Sequence, residues 1–329
     1  MLRRSLTAAL CGLLALGAVP FTAALNTKCN SNLVSYWGQN SYKAKHNATT
    51  GEQTLDWYCS NNPSEDIIVV SFLNTYNPLI LNLADHCFDF FDGTRLLNCP
   101  QVGQQIKACQ AKGKTILLSL GGQEGSYSLS SGEEGAKVAN AVWDTFLGGT
   151  QSGVLRPFGD AVLDGVDLDI EHTPATGYTE FVQRLRNLYV TDKSRTYYIA
   201  AAPLCHYPDL VMPQTYNQAW FDMLYIQFYN SPCGADRFGT QTFNFQLWDA
   251  WARLYSVNKD VKIYLGVPAS NYSAISGYVP IDRLTTIIDQ LVTNYPSFGG
   301  VMLYDISESR PNGDYSAQVK KALSKNSKC

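Results

Sequence analysis

The sequence predicts a single α/β domain built as a closed (β/α)8 barrel. Eight short apolar segments have the pattern of strands, and helical patterns lie between most of them. Alternation of strands with helices implies parallel pairing, and eight such units close into a barrel. Polar residues also follow many of the strands, at the rim where such barrels place their active sites. An open doubly wound sheet is the alternative, and the count of eight favours the barrel.

The elements follow one another in regular order. The predicted strands are 33–38, 66–73, 114–120, 163–171, 196–202, 223–229, 262–267 and 299–304. Unbroken apolar runs such as 66–73 indicate strands that are buried on both faces, as in a parallel sheet. The predicted helices are 52–59, 101–112, 135–147, 178–189, 243–255, 282–294 and 316–323. A turn-rich insertion, 74–99, separates the second strand from the helix at 101–112, which ends at Gly113.

The fourth predicted strand carries a row of acids. Because side chains alternate along a strand, Gly165, Asp167, Asp169 and Glu171 share one face, and the other face is mostly apolar. Carboxylates about 6–7 Å apart repel one another when buried, so at least one should hold a proton. A general acid working near neutral or mildly acidic pH needs that raised pKa.

Two other interpretations of the acidic row fit the pattern less well. A solvated edge strand is disfavoured because the opposite face is apolar. A divalent-cation site would use oxygen ligands, but the acids lie on one strand without a supporting histidine. We therefore expect neither a metal nor another cofactor.

Composition narrows the class of partner. The net charge of −3 argues against nucleic acid. Twenty tyrosines and six tryptophans offer aromatic faces of the kind that stack on sugar rings. The sequence therefore favours a carbohydrate ligand, although any tyrosine-rich secreted protein would share this composition.

Residues 1–24 have the pattern of a secretory signal peptide, which leaves 25–329 as the barrel domain. Arg3 and Arg4 precede a short apolar run, and small residues at 22–24 precede the expected cleavage point. The run is too short to span a membrane, and no later run approaches about twenty apolar residues. We expect a secreted monomer, found outside the cell or in the cell wall, without an anchor.

Cysteines and sequons support the secretory route. Nine cysteines are present, and Cys11 falls within the predicted signal. The remaining even number suggests disulfides, but eight cysteines allow on the order of a hundred pairings and the spacing does not choose among them. Asn47 and Asn271 each begin an Asn-x-Ser/Thr sequon and are candidate glycosylation sites.

Four motifs give the chain a family resemblance. Asp164 to Glu171 matches the DxxDxDxE signature of glycoside hydrolase family 18, the chitinase family. The runs 36–40 (Tyr-Trp-Gly-Gln-Asn), 119–122 (Ser-Leu-Gly-Gly) and 227–230 (Gln-Phe-Tyr-Asn) resemble strand ends of its short fungal and plant-type (class III) members. The resemblance covers nearly all of the chain after the predicted signal.

The resemblance implies an endo-acting chitinase that cleaves chitin or chito-oligosaccharides with retention through an oxazolinium intermediate. The implied catalytic residues are Glu171, Asp169, Asp167 and Tyr229. The implied substrate-binding residues are Tyr36, Gln39, Asn40, Gly121, Gly122, Gln227, Asn230 and Tyr304. It also implies the disulfides Cys59–Cys109, Cys87–Cys99 and Cys205–Cys233, and leaves Cys29 and Cys329 open.

Tyr304 departs from the family pattern. The family usually places a tryptophan near the end of the eighth strand, under the sugar whose bond breaks, and a phenol offers a smaller stacking face. Because of this departure, a second hypothesis is a chitin-binding lectin or hydrolase inhibitor with weak catalysis or none. An endo-β-N-acetylglucosaminidase acting on N-glycan cores is a third.

Overall fold

The computed structural model describes residues 25–325 and 327–329. The predicted signal peptide, 1–24, lies outside the described residues. Within the described part, no helix has both the length and the apolar character that a membrane span requires.

Eight parallel strands close into a barrel, as predicted. Its strands pair in the order β1, β9, β8, β7, β6, β5, β4, β2, and β2 pairs with β1 to close the ring. A short strand, β3, runs antiparallel to β2 outside the ring. The bounds are β1 Asn32–Trp37, β2 Ile67–Tyr76, β3 Leu79–Leu81, β4 Thr115–Gly121, β5 Gly165–Asp169, β6 Tyr198–Ala201, β7 Met223–Gln227, β8 Lys262–Pro268 and β9 Phe298–Tyr304.

Helices surround the barrel. They are α1 Ser41–His46, α2 Leu55–Asn61, α3 Pro100–Gln110, α4 Gly132–Phe146, α5 Tyr178–Tyr189, α6 Pro213–Gln218, α7 Phe245–Leu254, α8 Ile281–Asn294, α9 Ile306–Ser309 and α10 Tyr315–Lys325. The predicted helix 178–189 has the bounds of α5. The prediction contained no counterpart of α1, α6 or α9, because these short, mostly polar segments show no apolar period.

The barrel has an outer and an inner core. Leucine, isoleucine, valine and aromatic side chains fill the outer layer between strands and helices. The inner cluster contains Val34, Tyr36, Ile67, Val69, Phe72, Leu117, Tyr198, Ala200, Ala202, Met223, Tyr225, Tyr229, Tyr264 and Met302. Tyrosine is thus common inside the barrel, where a buried hydroxyl needs a polar partner. Asp167 on β5 accepts a hydrogen bond from one of these hydroxyls, that of Tyr36.

Disulfides join loops and chain ends. The structure contains Cys59–Cys109, Cys87–Cys99 and Cys205–Cys233, the three pairs implied by the resemblance. Cys29 and Cys329 form a fourth pair across a sequence separation of 300 residues. This bond ties the segment before β1 to the segment after α10.

Candidate active site

The acidic row occupies the carboxyl end of β5, and its last member lies beyond the strand. Asp167 and Asp169 are buried within β5. The predicted strand 163–171 is too long, because β5 ends at Asp169. Glu171 therefore belongs to the following loop, where its side chain is half-buried. Two carboxyls lie in the barrel interior and the third lies at its rim.

Asp167 is held from two other strands. The hydroxyls of Tyr36 on β1 and Ser119 on β4 each donate to its Oδ2, both at 2.7 Å. Its Oδ1 is buried and has no hydrogen-bond partner among the described residues. Burial raises the pKa of Asp167 to about 6, and the two hydroxyls oppose that rise. The free Oδ1 can carry a proton.

Asp169 is held by Gln227 at the end of β7. The Gln227 Nε2 donates to Asp169 Oδ1 at 2.8 Å and to the carbonyl of Ala202 at 2.9 Å. Burial raises the pKa of Asp169 well above its ordinary value, and the charges of Glu171 and Asp167 raise it further. The second contact fixes the orientation of the Gln227 amide, so that its other N–H group faces the acid.

The pKa of Glu171 is also raised, mainly by burial, while Gln227 and His172 lower it. Among the three carboxyls, Asp169 is the one whose pKa the charges of the other two raise, because a like charge nearby disfavours ionisation. Burial is the largest cause of the raised pKa in all three carboxyls. Glu171 remains a half-exposed acid above an internal carboxyl pair.

Aromatic side chains surround the acids. Tyr229 follows β7 and is buried, and the charges of Asp169 and Glu171 add to its burial in raising the pKa of its hydroxyl. Tyr304 ends β9, is partly exposed, and its ring centroid lies 5.8 Å from that of Tyr36. Tyr304 thus lies beside the tyrosine whose hydroxyl contacts Asp167.

The glycine pair after β4 permits a close backbone approach. Gly121 has φ +108°, and a Cβ there would collide with the carbonyl oxygen of Asp169. The amide of Gly122 donates to that same oxygen at 2.8 Å. The pair therefore lets β4 and β5 meet at the rim, which is a packing role alongside the predicted substrate contact.

The amides of Gln39, Asn40 and Asn230 hold rim loops. Gln39 Nε2 donates to the carbonyl of Ser71 at 2.7 Å. Asn40 Oδ1 accepts from the amide of Glu52 at 2.8 Å. Asn230 Oδ1 accepts from the amide of Ile275 at 2.8 Å. Contact of these three side chains with substrate remains a prediction. Such a contact would use the hydrogen-bonding atoms that the loop contacts do not occupy.

The structure adds residues that the sequence did not single out. Buried Glu52 accepts from the amide of Gly38 at 2.9 Å and lies 2.8 Å from His86 Nε2, and burial raises its pKa to about 7. Tyr127, in the loop after β4, contacts the amide of Glu171. Neither lies in a recognisable local pattern, and only the fold brings them to the rim.

The described residues include no group of three or more His, Cys, Asp or Glu side chains arranged to hold a metal ion. Asn47 and Asn271 are both exposed, as glycosylation would require. Their modification stays a prediction.

Comparison with known proteins places this site in a family context. The family model of glycosyl hydrolases family 18 matches residues 32–277. Chitinase 2 of Rhizopus oligosporus is 42% identical over 293 residues, which are 88% of this chain and 51% of the relative. The class III chitinase of Arthroderma benhamiae is 42% identical over 313 residues, 92% of this chain and 88% of the relative. The chain thus spans about half the length of the first relative.

Solved structures show the same architecture. The ICChI chitinase from Ipomoea carnea has a TM-score of 0.74 and 31% identity over 88% of this chain and 99% of that chain. The xylanase and α-amylase inhibitor protein XAIP-II from Scadoxus multiflorus has a TM-score of 0.73 and 28% identity over 88% of this chain and 97% of that chain. The matched family model, the relatives and the acidic row on β5 agree: the chain belongs to glycosyl hydrolases family 18.

Proposed function

We propose that the protein is a secreted endo-acting chitinase that hydrolyses β-1,4 linkages between N-acetylglucosamine units with retention of configuration. One observation carries the proposal: half-exposed Glu171 lies above a buried Asp167–Asp169 pair whose oxygens are held by Tyr36, Ser119 and Gln227. The chitinase names of its relatives in Rhizopus and Arthroderma support the same substrate class.

The position of the acids favours a mechanism in which a group of the substrate is the nucleophile. Most glycosidases use two carboxyls that flank the scissile bond, and family 18 is among the exceptions. Here Asp169 and Glu171 arise from one strand and the loop that directly follows it. Carboxyls on one side of a sugar cannot supply both a proton and an opposed attack. In the substrate-assisted exception that family 18 represents, the acetamide oxygen of the substrate is the nucleophile.

Cleavage begins with attack by the substrate's own acetamide group. The acetamide oxygen bonds to the anomeric carbon as the bond from that carbon to the leaving oxygen breaks. Glu171 gives its proton to the leaving oxygen and becomes a carboxylate. Asp169 accepts a hydrogen bond from the acetamide N–H and stabilises the positive oxazolinium, while the Tyr229 hydroxyl donates to the acetamide oxygen to hold it in line.

Hydrolysis completes the cycle. The Glu171 carboxylate removes a proton from water, and the resulting hydroxyl bonds to the anomeric carbon as the oxazolinium ring opens. Two inversions at one carbon give net retention. Asp167 supports the step by holding the proton that Asp169 gives up when Asp169 turns to the substrate. The raised pKa values of both groups fit that exchange.

The second candidate is a chitin-binding lectin or hydrolase inhibitor on the same scaffold. Tyr304, at the end of β9, supports it because its ring face is smaller than that of the family's usual tryptophan. A protein named as an inhibitor also shares the fold. Intact Glu171, with its raised pKa, favours the enzyme.

Four disulfides and two exposed sequons support the secretory route, since disulfides persist in oxidising compartments. We propose that the protein acts outside the cell or in the cell wall.

The function is tested with Glu171→Gln and chitohexaose. We expect hydrolysis to fall by about 10²–10⁴-fold, the range that a positioned general acid supplies, with an unchanged melting temperature. Glu133→Gln is the matched control, because Glu133 is exposed on α4. Near wild-type turnover in the Glu171 variant rules out the assignment. Oligosaccharide binding without hydrolysis by the wild type supports the lectin.

A further inference from the structure

Glu171 lies past the end of β5, so the sheet does not hold its backbone. Its amide instead donates to the hydroxyl oxygen of Tyr127 at 3.4 Å. The Tyr127 hydroxyl in turn donates to the carbonyl of Gly122, directly after β4. Tyr127 is only 1% exposed, so these contacts form in a water-poor setting. One phenol thus connects the backbone of the general acid to the end of the neighbouring strand.

His172, the residue after Glu171, also contacts the loop that follows β4. The ring of His172 stacks on that of Tyr127, with centroids 5.3 Å apart and an angle of 26° between planes. Its Nε2 donates to the carbonyl of Gln123 at 2.7 Å. Both residues of the 171–172 pair are therefore fastened to the loop that follows β4.

Tyr127 is itself anchored from behind. The Tyr178 hydroxyl, on α5, donates to the Tyr127 carbonyl at 2.6 Å. The same hydroxyl lies 3.0 Å from that of Tyr76 on β2. Buried hydrogen-bond chains of this kind are rigid when every member is satisfied. The support reaches Glu171 through Tyr127, and Tyr178 lies one contact further away.

We propose that Tyr127 is a positioning residue that fixes Glu171 for proton transfer to the leaving oxygen. The inference rests on the proposed chitinase function. A general acid acts only within hydrogen-bond reach of the atom that it protonates, and a displacement of about 1 Å can cost on the order of 100-fold in rate. Removing the hydroxyl frees the Glu171 amide without emptying the space that the ring fills.

Two substrates with different leaving groups distinguish a misplaced general acid from a general loss of stability. A sugar leaves as an alcohol and needs the proton of Glu171. A 2,4-dinitrophenolate leaves without a proton, because its conjugate acid is already strong. Misplacing Glu171 should therefore slow cleavage of chito-oligosaccharides and spare cleavage of 2,4-dinitrophenyl chitobioside.

The experiment measures kcat/KM of Tyr127→Phe on chitotetraose and on 2,4-dinitrophenyl chitobioside. We expect a loss of about 10–100-fold on the oligosaccharide and less than about 3-fold on the aryl glycoside. Tyr315→Phe is the matched control, because it removes a buried phenol hydroxyl that bonds the carbonyl of Val279 and lies outside the contacts that lead to Glu171. We expect it to change both substrates equally.

The ratio of the two kcat/KM values decides the outcome, since the concentration of folded enzyme cancels from it. The inference is overturned if Tyr127→Phe leaves that ratio at the wild-type value, whatever its yield or melting temperature. Failure of the proposed function looks different, because the wild type would then cleave neither substrate.

Discussion

The Tyr36 hydroxyl donates a 2.7 Å hydrogen bond to Oδ2 of Asp167. This contact joins β1 to β5 across the barrel interior, and Ser119 makes an equivalent one from β4. The Asp167 oxygen that both donors leave free is the buried Oδ1. The two donors therefore determine which oxygen of Asp167 is left without a hydrogen-bond partner among the described residues.

Tyr36→Phe should shift the acidic limb of the pH–activity profile to higher pH. The Tyr36 bond favours the charged form of Asp167 and opposes the burial that raises its pKa to about 6. Without this bond the pKa rises further, so the carboxyl pair takes up its second proton at higher pH. A hydrogen bond to a charged group contributes about 1.5–3 kcal/mol, which sets a shift of about 1–2 pH units. The profile of kcat/KM between pH 3 and 8 measures it, and an unmoved acidic limb contradicts the prediction.

Gln227→Leu should reduce kcat by about 10–100-fold with little change in fold. Leucine keeps the approximate volume but cannot donate to Asp169 Oδ1, so the pKa of that buried acid rises further and its charged form is lost. The mechanism needs the charged form to stabilise the oxazolinium. Steady-state kinetics on chitotetraose measure the effect, with Gln101→Leu at an exposed site of α3 as the control. Equal activity of the two variants would contradict the proposal that Gln227 keeps Asp169 charged.

Glu65→Gln should flatten the dependence of stability on pH without changing activity. Glu65 is buried outside the barrel ring, accepts from the Ser35 hydroxyl at 3.3 Å, and burial raises its pKa to about 7. Since the unfolded value is about 4.3, the folded chain holds a proton that the unfolded chain has lost. The free energy of unfolding therefore falls by about 1.4 kcal/mol per pH unit as the pH rises from about 4.3 to 7.

Urea unfolding at pH 5 and pH 8 measures that slope. The wild type should lose stability between the two, and the glutamine variant should lose less because it carries no titrating group at this position. Identical slopes in the two proteins would show that Glu65 ionises normally in the folded state.

Tyr304→Trp should lower KM for chito-oligosaccharides by about 2–10-fold, the effect of about 0.5–1.5 kcal/mol from a larger aromatic face. The Tyr304 ring is partly exposed and lies beside Tyr36 at the rim, where an added ring can spread toward the sugar. Tyr304→Phe keeps the six-membered face and serves as the control, with KM expected near that of the wild type. A higher KM in the tryptophan variant would mean that the site has no room for the larger face.

The features that the sequence predicted are those that a pattern of neighbouring residues determines. Alternating strands and helices indicated the barrel, and the acidic row on one strand face indicated Asp167 and Asp169. Each of these depends on a few consecutive residues. The short strand β3 and the helix α6 were missed because their segments, Leu79–Leu81 and Pro213–Gln218, are too short to show a period.

The remaining features depend on contacts between distant residues. The extension of the acidic strand to Glu171 was wrong, since pairing with β4 ends at Asp169 opposite Gly121. The engagement of Gln39 and Asn40 with neighbouring loops depends on Ser71 and Glu52, which no local pattern indicates. The Tyr127 contact with Glu171 likewise appears only when the loops after β4 and β5 meet.

In the proposed mechanism, the substrate's own acetamide is the nucleophile. The most direct measurement incubates the protein with chitohexaose and, separately, with its fully deacetylated counterpart of equal length. We expect cleavage of the acetylated chain alone, because only that chain carries the attacking acetamide oxygen and the N–H group that donates a hydrogen bond to Asp169. Cleavage of both chains at similar rates would contradict substrate assistance and would require a protein nucleophile instead.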